Sequence, residues 1–186
     1  EFDRSLAKVI PGGGAIDEAG DGTLYFRFRM KDFAVGNGPS VGVGLTDGVS
    51  PGGPSVTGPW VIPQGVDGGG SVGSSAGENT LVGYADSATN ISSTISTDTW
   101  YSVWLVADHS TDQYQAYIQG GSAYPTQTLL ASDLEFRQSG LGDLTRVLLR
   151  PNNANNLSPV DTGYFDDIFI DTTGANLTVP VAPAFS

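Results

Sequence analysis

Apolar residues recur along this chain with a period of two, and no segment of helical length carries the 3.6-residue period of an amphipathic helix. Over residues 23–30, Leu24, Phe26, Phe28 and Met30 share one side while Tyr25, Arg27 and Arg29 occupy the other. That alternation predicts an antiparallel strand with one face in a core and the other toward water. Val41, Val43 and Leu45 alternate with Gly42 and Gly44, whose missing side chains admit a second layer, so a buried central strand is expected there. Further strands are predicted over residues 80–84, 100–107, 113–118, 144–149 and 165–170. The sequence DHSTD at 108–112 joins two of them as a hairpin, because short polar side chains hydrogen-bond their own backbone in turns. Residues 128–137 are the one stretch ambiguous between strand and helix.

Strands separated by turn-rich loops predict an all-β fold, a two-sheet antiparallel β-sandwich of jelly-roll type. A chain of 186 residues sustains one substantial core and nothing in it marks a second, so a single domain over 1–186 is expected. From 47 to 77 the chain is loaded with Gly, Pro and Ser around Trp60, Val61 and Ile62, which predicts a long loop of functional use. The tail at 179–186, VPVAPAFS, alternates Pro with apolar residues and is expected to be extended, outside any central strand.

Eight Lys and Arg against 20 Asp and Glu leave a formal charge of −12, which disfavours nucleic acid and anionic membranes as partners. The absence of Cys removes disulfides and thiol chemistry. No apolar run approaches the roughly 20 residues that span a bilayer, and no signal-peptide pattern is present, so a mature chain without membrane insertion is expected. Abundant Gly, Ser, Thr and Asn, high acidity and only two Lys, Lys8 and Lys31, point to an extracellular or cell-surface setting.

The segment YFDDIFID at 164–171 sets two carboxylates side by side in an aromatic, β-branched strand. Neighbours in a regular strand point to opposite faces, so one of Asp166 and Asp167 is expected to face inward, where an uncompensated carboxylate is costly. Calcium, which takes six to eight oxygen ligands, is the cation this pattern predicts. Asp17, Glu18 and Asp21 of DEAGDG would complete the site if they converge on the pair; otherwise DEAGDG is a solvated turn and one Asp caps a loop. The DxDxDG spacing of an EF-hand loop is missing.

In order along the chain, TLYFRFRM, VGVGLTD, TWYSVWLVADHSTDQYQAYIQGG and YFDDIFIDTTGANLT resemble laminin G-like and concanavalin A-like domains, over most of residues 23–178. The resemblance implies a β-sandwich that binds glycans or protein partners, often with bound calcium, in secreted or cell-surface proteins. Its motifs are patterns of sheet packing and turns; they carry no catalytic signature.

Glycan recognition uses aromatic rings against apolar sugar faces, with a few polar groups fixing orientation. Trp60, in its Gly- and Pro-rich setting, is the first candidate, and a plug at one end of the sandwich is the competing role. Trp104 and Tyr117 share alternation phase with Ser102, Gln115 and Gln119 and are expected on a solvent-facing sheet surface, although Val106 on the same phase makes core packing equally compatible. The four Glu residues lack the paired spacing of a glycosidase, and the single His109 sits in a hairpin turn. Tyr117 with Arg27 or Arg146 on one face would suit a polysaccharide lyase, but any sandwich offers such a combination and the Arg residues are expected to border the sheet and pair with surplus acids. A non-catalytic module binding polysaccharide or glycoconjugate is therefore expected. Asn90 and Asn176 head glycosylation sequons, as does Asn156 with a Pro following. Termini held by neighbouring copies, giving self-assembly into a filament or surface layer, are the alternative role, with a jelly-roll hydrolase or lyase as a further one.

Overall fold

Leu24, Phe26 and Phe28 have no exposed surface, as the alternation at 23–30 requires. Each such side chain contributes about 1.5–3 kcal/mol by leaving water. The computed structural model describes residues 6–30, 41–50, 53–54, 60–64, 80–84, 89–136, 142–151 and 163–181. Its strands are β1 (Leu6–Val9), β2 (Asp21–Met30), β3 (Val41–Thr46), β4 (Val49–Ser50), β5 (Gly53–Pro54), β6 (Trp60–Gln64) and β7 (Thr80–Tyr84). They continue with β8 (Thr89–Thr94), β9 (Tyr101–Asp108), β10 (Gln113–Gly120), β11 (Tyr124–Glu135), β12 (Arg146–Pro151) and β13 (Gly163–Asp171).

One sheet runs β1-β12-β3-β6-β7-β8 and the other β11-β10-β9-β2-β13, all pairs antiparallel. Between them lies the core, in which Leu24, Phe26 and Phe28 meet Tyr101, Val103 and Leu105 of β9, Val43 and Leu45 of β3, and Val147 of β12. Phe28 stacks on Tyr101 at 5.5 Å between ring centres. Gly22 has no room for a side chain, since a Cβ there would overlap Ile16, whose side chain closes the near end of the core. The expected all-β, two-sheet sandwich of jelly-roll, concanavalin A-like arrangement is what the chain adopts.

Local readings differ in two places. The ambiguous stretch at 128–137 belongs almost entirely to strand β11, an edge strand hydrogen-bonded to β10. Within 47–77, expected as a loop, stand β4, β5 and β6, and β6 is paired on both sides, to β3 and β7. Trp60 opens β6 opposite Gly44; its side chain lies outside the described residues. His109 sits in the hairpin turn as expected and is buried there, a feature the turn did not announce: Nδ1 faces the Asp112 carboxylate at 2.9 Å and Nε2 faces the Gly142 carbonyl at 3.1 Å.

Acidic residues are used repeatedly to bend the backbone. Among the described residues the non-glycine positions with positive φ are Asp98, Asp112, Asp133 and Asp167, at φ 53, 53, 57 and 49°. Asp tolerates the left-handed region better than most residues because its short side chain bonds locally. Part of the surplus negative charge is thus turn and bulge chemistry.

Candidate functional site

Strand register lays out the face of the five-stranded sheet that points away from the core. One row across it reads Asp166, Arg27, Ser102, Gln119, and the next reads Phe169, Tyr25, Trp104, Tyr117. A third reads Asp171, Thr23, Val106, Gln115, and Tyr164 pairs with Arg29 at the opposite end. The middle row is aromatic on four successive strands: Tyr25 meets Trp104 edge-on at 5.1 Å and Phe169 at 6.2 Å.

That aromatic row lies under a strap. After β13 the chain turns at residues 172–174 and crosses back over the sheet, anchored to β2, β9 and β11. Asp171 Oδ1 accepts from Thr173 N at 2.8 Å and Thr173 Oγ1 at 2.6 Å, and Oδ2 accepts from Asn176 Nδ2 at 2.8 Å. Thr23 Oγ1 donates to the Gly174 carbonyl at 3.0 Å and accepts from Asn176 N at 2.9 Å. Trp104 Nε1 donates to the Thr178 carbonyl at 3.2 Å, and Gln127 Nε2 of β11 to that of Leu177 at 2.9 Å. Gly174, at φ 147°, makes the turn in a region closed to side chains. The Thr173 hydroxyl first, and then Asn176, hold the Asp171 carboxyl below its ordinary pKa. Between strap and sheet is a pocket of about 390 Å³, floored by Tyr25 and Phe169 and rimmed by Asp171, Thr173, Asn176 and Pro180.

Beyond the strap the face is open and its chemistry changes. Arg27 NH1 donates to Asp167 Oδ2 at 3.1 Å, and its guanidinium lies 4.9 Å from the centre of the Trp100 ring. Arg29 lies 5.3 Å from the same ring and 4.6 Å from that of Tyr164. Its Nε is buried with no hydrogen-bond partner, so the cation is held by ring faces.

The paired carboxylates have a different cause from the one expected. Asp166 opposes Arg27 and Phe169 opposes Tyr25, so β13 carries one extra residue, a β-bulge in which Asp167 takes φ 49°. The bulge breaks the strict alternation, and neither Asp enters the core: Asp167 reaches Arg27, and Asp166 Oδ1 accepts from Asp167 N at 2.8 Å. Asp21 stands six positions from Arg27 along β2, about 20 Å away at strand rise. The DEAGDG segment therefore does not converge on the pair. Asp17 is an exposed turn residue whose carbonyl accepts from Gly20 N, and Glu18 N donates to Asp143 Oδ1. Asp21, Asp108 and Asp133 border a hollow of about 230 Å³, with Asp108 held below its ordinary pKa chiefly by the Ser110 hydroxyl. Among the described residues no three acidic or His side chains form a group able to hold a metal, so these residues do not fit the expected calcium ion.

Trp104 and Tyr117 face each other across β9 and β10 on the outer surface, as their phase predicts. The expected exposure of Trp104 is not found, since it is 0 % exposed beneath the strap. Tyr117 is part-buried, its hydroxyl donating to Gln115 Oε1 at 2.8 Å. Asn176 Nδ2, the atom a glycan would occupy, donates to Asp171, and its Oδ1 accepts from Thr178 N and Oγ1. Asn90 lies in β8 with its side chain outside the described residues, and Asn156 lies outside them altogether. Residues 1–5 and 182–186, on which assembly through the termini rests, are also outside. The described part of the tail, 172–181, docks on its own sheet, with Val181 at 89 % exposure. Tyr25, Phe169, Trp100 and Tyr164 are site residues the sequence reading did not single out; Tyr25 was on the outer phase of β2, and the TTG turn after β13 was the signal for the strap.

Comparison with protein-family models finds no match, and neither does comparison with curated proteins. Solved structures share the fold. The catalytic domain of a GH131 β-glucanase from Podospora anserina aligns over 87% of this chain and 61% of its own, at 17% identity and a TM-score of 0.51. That of a glycoside hydrolase family 131 protein from Coprinopsis cinerea aligns over 88% and 60%, at 12% identity and 0.51. Peanut lectin aligns over 80% and 72%, at 11% identity and 0.49, too distant to bear on function. The chain thus spans about three fifths of each catalytic domain, and the likeness is one of fold. It corrects one expectation. Two matching sandwiches with TM-scores of 0.51 are catalytic domains, so the fold gives no ground for expecting a non-catalytic module.

Proposed function

We propose that this domain binds polysaccharide or glycoconjugate on the outer face of its five-stranded sheet, in an extracellular or cell-surface setting. The pocket beside the strap carries this reading. Two aromatic rings form its floor, a carboxylate, an amide and a hydroxyl stand at its rim, and its volume suits a small ligand. The Phe169 ring supplies area against the apolar face of a sugar, and the remaining lone pairs of the Asp171 carboxylate accept from its hydroxyls. The acidic, Gly-, Ser- and Thr-rich composition supports the setting.

Isothermal titration with neutral and acidic polysaccharides tests the reading, with Phe169→Ala as the site variant. Binding weakened at least tenfold, with the variant still folded at the titration temperature, is the expected result. No binding to any polysaccharide, or equal binding by parent and variant, overturns the assignment of this pocket. Release of reducing ends, followed in the same mixtures, decides whether bound glycan is also cleaved.

A further inference from the structure

Among the described residues, Arg29 is a cation without a counter-charge. Arg27, two positions away, is neutralised by Asp167 at 3.1 Å, whereas among the described residues no carboxylate pairs with Arg29. Its guanidinium contacts the rings of Trp100 and Tyr164, and its Nε is orphaned, an arrangement that costs a hydrogen bond in return for a fixed orientation. Tyr164 keeps 40 % of its surface exposed. A planar cation held by aromatic contacts, with its terminal N–H groups lacking a protein acceptor among the described residues, is suited to a two-pronged anion.

From this we infer that the open half of the face binds an anionic substituent of the glycan, a carboxylate or sulfate, through Arg29. The inference rests on the proposed glycan binding and specifies its substrate class. Tyr164 and Phe169 lie opposite Arg29 and Tyr25, four positions apart on β2 and so about 13 Å at strand rise, which makes a ligand touching both the strap pocket and Arg29 a chain longer than one sugar ring. The Arg27–Asp167 pair lies between, neutral overall, with the exposed Asp166 beside it. At physiological salt the remaining negative charge of the chain is screened beyond about 8 Å, leaving the local cation to act.

Titration at 0.15 M salt with polygalacturonate, its fully methyl-esterified form, a sulfated galactan and a neutral β-glucan tests the inference, on the parent, Arg29→Gln and Arg29→Lys. Expected is preference for an acidic polymer over the esterified and neutral ones, a roughly ten- to hundredfold loss in Arg29→Gln, and partial retention in Arg29→Lys, which keeps the charge but loses the fork. Neutral glucan binding is expected to fall far less than acidic binding in Arg29→Gln. Whether polygalacturonate or the sulfated polymer binds more tightly identifies the anion as carboxylate or sulfate. Tight neutral binding with no acidic preference, or acidic binding indifferent to Arg29→Gln, overturns this inference and leaves the glycan reading standing. Absence of binding to all four polymers overturns both.

Discussion

The two halves of one sheet face show how differently the same alternation is used. Under the strap, Tyr25, Trp104 and Phe169 form a second apolar layer, and the Trp104 N–H finds its acceptor in the strap backbone. On the open side, Arg27, Arg29, Trp100 and Tyr164 carry charge and part-exposed ring surface. Both halves are outward positions of the same strands. What separates them is where the chain runs after β13: the strapped half gains a second packed layer with the proposed pocket at its edge, and the open half keeps its cations and rings accessible.

The contrast breaks most visibly at Trp104. Trp104→Ala opens a cavity beneath the strap and is expected to cost about 3–5 kcal/mol, measured by urea denaturation. Trp100→Ala, on the open side, is expected to cost far less while weakening glycan binding. Equal losses from the two would show that the halves are not distinct.

A smaller effect is expected from the strap's latch. Asn176→Ala removes the amide bonds to Asp171 and Thr178 and is expected to cost about 1–2 kcal/mol, with faster hydrogen exchange in 172–178 and little change elsewhere. Acid reaches the same latch. The folded pKa of Asp171 lies below its unfolded value, so its contribution is complete above about pH 4 and is lost as the pH falls through the folded value. The strap is thus expected to loosen in acid, and Asp171→Asn to flatten that part of the pH–stability profile.

Smaller still is the ion pair on the open face. A double-mutant cycle on Arg27→Ala and Asp167→Ala is expected to give a coupling of about 0.2–1 kcal/mol, since both side chains are more than a third exposed or nearly so, at 35 and 40 %. Smallest is the effect of chelation. With Arg27 as the partner of Asp167, the melting temperature is expected to be the same with and without chelator; a drop of several degrees would show a cation these residues do not account for.

The alternation at 23–30 and in β9, β10 and β13 was enough to place the two-sheet sandwich, because burying one side of a strand leaves a period of two that composition cannot disguise. The same alternation put Trp104 and Tyr117 on the outer face and Arg27 and Arg29 beside them. Sequence alone stopped there for a physical reason. Period two distinguishes the faces of a sheet but says nothing about what covers them, and a strap held by side-chain to backbone bonds has no period. The pair Asp166 and Asp167 shows the same limit: a single inserted residue, stabilised by an Asp at φ 49°, cancels the rule that neighbours point apart. Only the tertiary pairing of β13 with β2 reveals the insertion, and with it that an arginine, not a cation from solution, meets Asp167.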